Sequence, residues 1–68
     1  MIHWQKIQNN KVIDEGTEHR VTNVEEFAIM QIKAMQLPQY IHATMFGNPN
    51  GLIVTIDDNN RTKFYLSK

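Results

Sequence analysis

Hydrophobic and polar positions divide the chain into short segments, and the breaks fall at Asn9-Asn10, Glu15-Gly16, Asn48-Pro49-Asn50-Gly51 and Asp58-Asn59-Asn60, all turn-forming residues. Ile2 and Trp4 alternate with His3 and Gln5 as a half-buried strand requires. The alternation slips at Ile7, which predicts a bulge or the end of regular pairing. Two readings of the next stretch are open. Either Asn9-Asn10 closes a tight turn into Lys11-Val12-Ile13, or residues 9–16 form one loop leading to a strand over 17–22; the loop with the strand at 17–22 is favoured.

Asn23 followed by Val24-Glu25-Glu26 predicts a helix start, because the Asn side chain can accept from an early free N–H and the two glutamates suit the positive end of the helix dipole. Val24, Phe27, Ala28, Gln31 and Met35 share one face, with Ile32 and Ala34 on its flanks, and Pro38 disfavours helical geometry at Leu37. The expected helix therefore covers residues 24–36. Ile29 and Met30 lie well away from Val24 around the helix, so at least one of them is expected to be exposed.

Tyr40 to Phe46 alternates cleanly, with Ile41, Ala43 and Met45 on one face and Tyr40, His42, Thr44 and Phe46 on the other, and predicts a strand. Gly47 to Gly51 places Pro at a favoured turn position and Asn-Gly where positive φ is needed, predicting a hairpin into Leu52–Ile56. A turn at 58–60 then leads to a last strand at 61–66 and completes a meander. The predicted architecture is a single α+β domain over residues 1–68: an antiparallel sheet of about five strands in ββαβββ order with one helix on one face. Its expected core is Trp4, Val21, Val24, Phe27, Ala28, Met35, Ile41, Ala43, Met45, Val54, Ile56, Phe64 and Leu66.

Composition narrows the chemistry. A chain of 68 residues buries only about 60% of its unfolded surface and has no room for a second lobe. The absence of Cys excludes a disulfide framework, a Cys-based zinc site and a catalytic thiol. The longest apolar run is Leu52-Ile53-Val54, and the first residues have no stretch of signal-peptide length, so a soluble, cytoplasmic protein without membrane contact is expected. A net charge of zero and a pI near 6.8 give no global attraction to nucleic acid.

His3, His19 and His42 match no zinc spacing, and Asp57-Asp58-Asn59-Asn60 lacks the ligand alternation, central Gly and distant Glu of a calcium loop, so no metal, no cofactor and no catalysis are expected. An enzymatic reading would need His42 beside Lys63 and Tyr65 on the open sheet face. Charge is uneven: Asp14, Glu15, Glu18, Glu25 and Glu26 stand against Arg20 alone, whereas the last ten residues carry Arg61, Lys63 and Lys68 without an acid. A small nucleic-acid-binding domain would use Arg61, Lys63, Tyr65 and Lys68. The face opposite the helix is expected to display Tyr40, His42, Phe46, Ile53, Lys63 and Tyr65, a mixture typical of binding surfaces.

Gly16-Thr17, a short helix, Gln39-Tyr40-Ile41-His42-Ala43-Thr44-Met45, Asn50-Gly51-Leu52 and an acidic turn (Asp57, Asp58) closely followed by Arg61 together resemble the ninth-named family of type I-F anti-CRISPR proteins, over residues 16–64. The resemblance implies a phage-encoded, non-enzymatic inhibitor acting in the cytoplasm of a bacterial host. It implies a helix on a five-stranded antiparallel sheet, binding to the backbone subunits of a CRISPR surveillance complex, and blocked pairing of target DNA with the guide RNA. The family's contacts gather around a Gln and basic side chains near the helix end. Gln39 matches the Gln and Lys33 one basic position; the sequence departs from the pattern at Met30, Ile32, Leu37 and Pro38. The partner contacts expected on this basis are Lys33, Gln36, Gln39, Tyr40 and His42, with Asn48 and Asn50 at the hairpin tip, in a monomer or weak dimer.

Overall fold

Asn9 and Asn10 both adopt left-handed backbone, with φ of 52° and 66°, and close a two-residue turn between β1 (Ile2–Gln8) and β2 (Lys11–Glu18). The computed structural model describes residues 1–68. Its first hairpin overturns the expected loop at 9–16 and strand at 17–22: residues 11–18 pair with β1 and residues 19–23 are the connection to the helix. Asparagine tolerates positive φ better than most residues, and the resulting primed turn matches the twist of the flanking strands. The slip at Ile7 is a bulge. Lys6 pairs with Asp14 and Ile7 with Val12, leaving Ile13 as the extra residue.

The helix α1 (Val24–Ala34) starts as its sequence dictates, with the Asn23 side chain accepting from the Glu26 N–H at 2.9 Å. It ends two residues before the expected 36. Met35 caps it and Gln36 turns into left-handed backbone at φ 51°, because Pro38 bars further helix and the chain must reverse. The Ile41 N–H donates to the Pro38 carbonyl at 3.0 Å and holds residues 38–41 in a turn, so β3 (Ala43–Asn48) begins three residues later than expected and leaves Tyr40 and His42 outside the strand.

The β3–β4 turn is Pro49-Asn50 alone, leading to β4 (Gly51–Ile56). Its geometry comes from the Asn48 Oδ1, which accepts from the backbone N–H groups of Asn50 (2.9 Å) and Gly51 (3.2 Å). Positive φ was expected at Asn50-Gly51 but falls on Gly47, inside β3. Arg61, expected in the last strand, instead adopts φ 52° in the preceding turn, and β5 is Lys63–Ser67.

The five strands form one antiparallel sheet in the order β2-β1-β5-β4-β3, so the last strand lies at its centre. One face carries the core: Ile2, Leu52, Val54, Ile56, Phe64 and Leu66 packed under Val24, Phe27 and Ala28 of the helix. Trp4 flanks this core, its ring centroid 6.5 Å from that of Phe27, and lies against Gly16, where an added Cβ would stand 2.9 Å from the indole. Ala43 and Met45, expected in the core, are exposed. A helix of 11 residues spans only roughly 16 Å and sits on β4 and β5, so edge strand β3 projects beyond its cover. Ile29 and Met30 are both exposed on the helix's outer side, Met30 by 47%.

The β4–β5 connection is fastened by Asp58, whose carboxylate accepts from the Thr62 N–H (2.8 Å) and Oγ–H (2.7 Å), while Gln8 Nε2 reaches the same Oγ at 3.1 Å. Thr62 is fully buried. Burial pushes the Asp58 carboxyl up, but the Thr62 donors outweigh it and hold the group below its ordinary 3.8. A lowered folded-state pKa stabilises the fold above the unfolded value and loses that contribution as pH falls through the folded one. Asp58→Ala is therefore expected to cost about 1–3 kcal/mol at pH 7, since it orphans a buried N–H. In urea unfolding followed by circular dichroism, the gap between wild type and variant should narrow as pH falls from about 5 toward about 2. A gap that stays constant with pH would exclude this role for the carboxylate.

Candidate binding surfaces

Two surfaces carry side chains free to meet a partner. The first is the sheet face opposite the helix, where the registers of the four strand pairs align side chains in rows across all five strands. One row runs Glu15, Gln5, Tyr65, Ile53, Phe46; the row above it runs Thr17, His3, Ser67, Gly51, Asn48; the row below runs Val12, Ile7, Lys63, Thr55, Thr44. Together the first two rows, apart from Asn48, line a shallow trough of about 810 Å³. Phe46 is 79% exposed at its rim, and Gln5 Nε2 donates to the Glu15 carboxylate at 3.4 Å across the β1–β2 pair.

Phe46, Ile53, Lys63 and Tyr65 stand on this face as expected, while Tyr40 and His42 precede β3 and lie outside the strand. Thr44, not His42, stands in the row of Lys63, and the His42 carbonyl instead accepts from the Asp57 N–H at the sheet's end. No group of three or more His, Asp or Glu side chains is placed to hold a metal ion. His3, Gln5, Thr17 and Ser67 are members of this face that the sequence reading missed. The signals that could have found Thr17 are the Asn9-Asn10 pair, which sets the first pairs of the β1–β2 ladder, and the phase slip at Ile7, which shifts the remaining pairs by one.

The second surface is the end of the helix. Lys33, Gln36 and Gln39 line a shallow depression of about 430 Å³ with Ile32, Leu37, Pro38, Ile41 and Ala43. Ile32, Met35, Leu37 and Ile41 are half-buried against the core, which anchors the connection and leaves the polar side chains outside. Lys33 sits in the last helical turn, where a cation suits the negative end of the dipole. Two carboxamides and an ammonium group offer donors and acceptors on one rigid ledge, beside Tyr40 at 77% exposed. The arrangement suits hydrogen-bonded docking.

The remaining expected contacts separate from this ledge. Asn48 and Asn50 occupy the opposite end of β3, roughly 16 Å along the strand from Ala43. Asn48 spends its side-chain carbonyl on the turn, and the Asn50 carbonyl accepts from the Lys68 N–H at 3.0 Å.

The basic residues are likewise dispersed. Arg61 lies in the turn before β5, Lys63 at its start and Lys68 past its end, so the two lysines stand roughly 16 Å apart and only Lys63 neighbours Tyr65 on the open face. The acids gather on β2 and the helix start. Glu18 is held below its ordinary range mainly by the Arg20 N–H, which donates to it at 2.6 Å.

No helix of the protein is long and apolar enough to cross a membrane. No protein-family model matches the chain, and comparison with curated proteins and with solved structures gives no significant match.

Proposed function

We propose that the protein is a non-enzymatic inhibitor that binds the backbone subunits of a type I-F CRISPR surveillance complex and keeps target DNA from pairing with the guide RNA. The observation that carries this reading is the ledge at the helix end, where Lys33, Gln36 and Gln39 line one depression. It lies where the resemblance puts the family's contacts. Two of the departures from the family's pattern also find a use: Ile32 and Leu37 pack against the core beneath the ledge, so their apolar side chains support the polar ones. A body of 30 × 23 × 19 Å docked beside a channel that tracks nucleic acid blocks it by bulk.

The test is co-purification with the surveillance complex at micromolar protein, followed by a target-DNA binding assay. Wild type is expected to co-purify and to abolish DNA binding. The double variant Lys33→Glu, Gln39→Ala is expected to lose at least about tenfold in affinity, equivalent to about 1.4 kcal/mol, because it reverses one charge and removes one carboxamide from the ledge. Both residues are exposed, so its thermal stability should stay near that of wild type. Failure of the wild-type protein to co-purify rejects the proposal. A steep fall of affinity for DNA alone with rising salt would favour direct nucleic-acid binding instead.

A further inference from the structure

The two edges of the sheet are built differently. Edge strand β2 carries Lys11, Asp14, Glu15 and Glu18 and is kinked by the bulge at Ile13, two devices that discourage a further strand from adding. Edge strand β3 has neither: Ala43-Thr44-Met45-Phe46-Gly47-Asn48 contains no charge and no proline, pairs with β4 without a register shift, and is exposed along its whole length. The Asp57 N–H bonds to the His42 carbonyl, and the Lys68 N–H to the Asn50 carbonyl on the far side of β4. By the alternation of an antiparallel ladder, both bonds turn the N–H and C=O groups of Ala43 and Met45 outward, away from β4.

We infer that β3 is a self-association edge, on which a second copy of this chain pairs antiparallel across a twofold axis near Met45. The charge pattern selects a copy of the chain as occupant. A twofold axis brings each residue of a strand against its own neighbours, so an acidic strand such as β2 repels itself, whereas an uncharged strand pairs with itself without penalty. The pairing extends the five-stranded sheet into a continuous ten-stranded one. It sets Phe46 of each copy, on the open face, near Thr44 of the other, and brings the half-exposed Met45 side chains together on the helix side. This inference stands independently of the proposed function.

Sedimentation equilibrium of the intact chain tests it. The mass is expected to rise from 8.0 kDa toward twice that value, with a Kd on the order of 10–100 μM for so small an interface. Met45→Pro removes an outward N–H that the fold does not use. Proline is tolerated at such edge positions, so the variant should keep its circular dichroism and weaken association at least about tenfold. Should it fail to fold, Thr44→Lys provides the same reading by placing like charges near the axis. Val12→Lys, on the other edge, should leave association unchanged. A monomer up to millimolar concentration overturns the inference, as does a dimer that survives both Met45→Pro and Thr44→Lys or that is lost in Val12→Lys.

Discussion

Phe64→Ala is expected to remove a third or more of the stability of the fold at 25 °C, with a melting temperature lowered by well over 10 °C (about 4–8 °C per kcal/mol for a domain of this size). Phe64 is fully buried in the central strand, paired with Lys6 on one side and Val54 on the other, with the Lys6 ammonium 5.8 Å from its ring centroid. Removing a buried phenyl ring costs about 3–5 kcal/mol through lost transfer energy and the cavity left behind. A domain of this size has only roughly 3–10 kcal/mol of total stability, so one ring accounts for much of it. No second core can compensate, since the helix covers a single face. Phe64→Leu, which refills most of the volume, should lose only about 1 kcal/mol. Thermal unfolding of the three proteins by circular dichroism checks the order. A folded Phe64→Ala with a melting temperature within a few degrees of wild type would mean that the core does not lie where the structure puts it.

Gly47→Ala carries the second largest expected effect, for a backbone reason. Gly47 has φ of 143°, which L side chains rarely adopt, and a Cβ built on it would stand 2.3 Å from the Gly51 carbonyl oxygen and 3.0 Å from the Leu52 Cα. Such strain alone costs about 1–3 kcal/mol. Relieving the clash requires β3 to move off β4, and the total loss is expected at about 3 kcal/mol or more, near the upper end of point-mutant effects. Gly51→Ala provides the contrast. Its added Cβ meets nothing closer than the Leu66 carbonyl oxygen at 3.8 Å, so a change within about 0.5 kcal/mol is expected. Amide exchange resolved by residue should show faster opening along β3 in Gly47→Ala and little change in Gly51→Ala. Equal effects of the two substitutions would contradict this assignment of strain.

Much of the fold was legible wherever a local signal acts alone. Asn23 caps the helix through its own side chain, and the phase slip at Ile7 marks the bulge without reference to any partner. Alternation placed Phe46, Ile53, Lys63 and Tyr65 on the open face because a pleated strand leaves them no other side. What was illegible depended on competition between elements. The Asn9-Asn10 turn and a loop over 9–16 suit the local sequence equally well, and only pairing with β1 decides between them.

Tyr40 to His42 alternates like a strand, yet the turn at Pro38 and the absence of a partner opposite Tyr40 keep it out of the sheet. The burial of Ile2 and Leu52, and the exposure of Ala43 and Met45, follow from where an 11-residue helix comes to rest on the sheet, a property no single strand encodes. That Lys33, Gln36 and Gln39 share one ledge was legible: they are near in sequence and the reversal at Gln36 keeps them together. Asn48 and Asn50 were separated from that group by the length of β3.

On the proposed function, the partner meets the ledge at the helix end. Nitrogen-15 labelled protein titrated with the surveillance complex and followed by amide resonance broadening tests it residue by residue. Early, selective broadening is expected over residues 33–43, with Gln5 and Tyr65 on the open face unaffected. Selective broadening at Gln5, Ile53 and Tyr65, with Lys33 and Gln39 unperturbed, would contradict it.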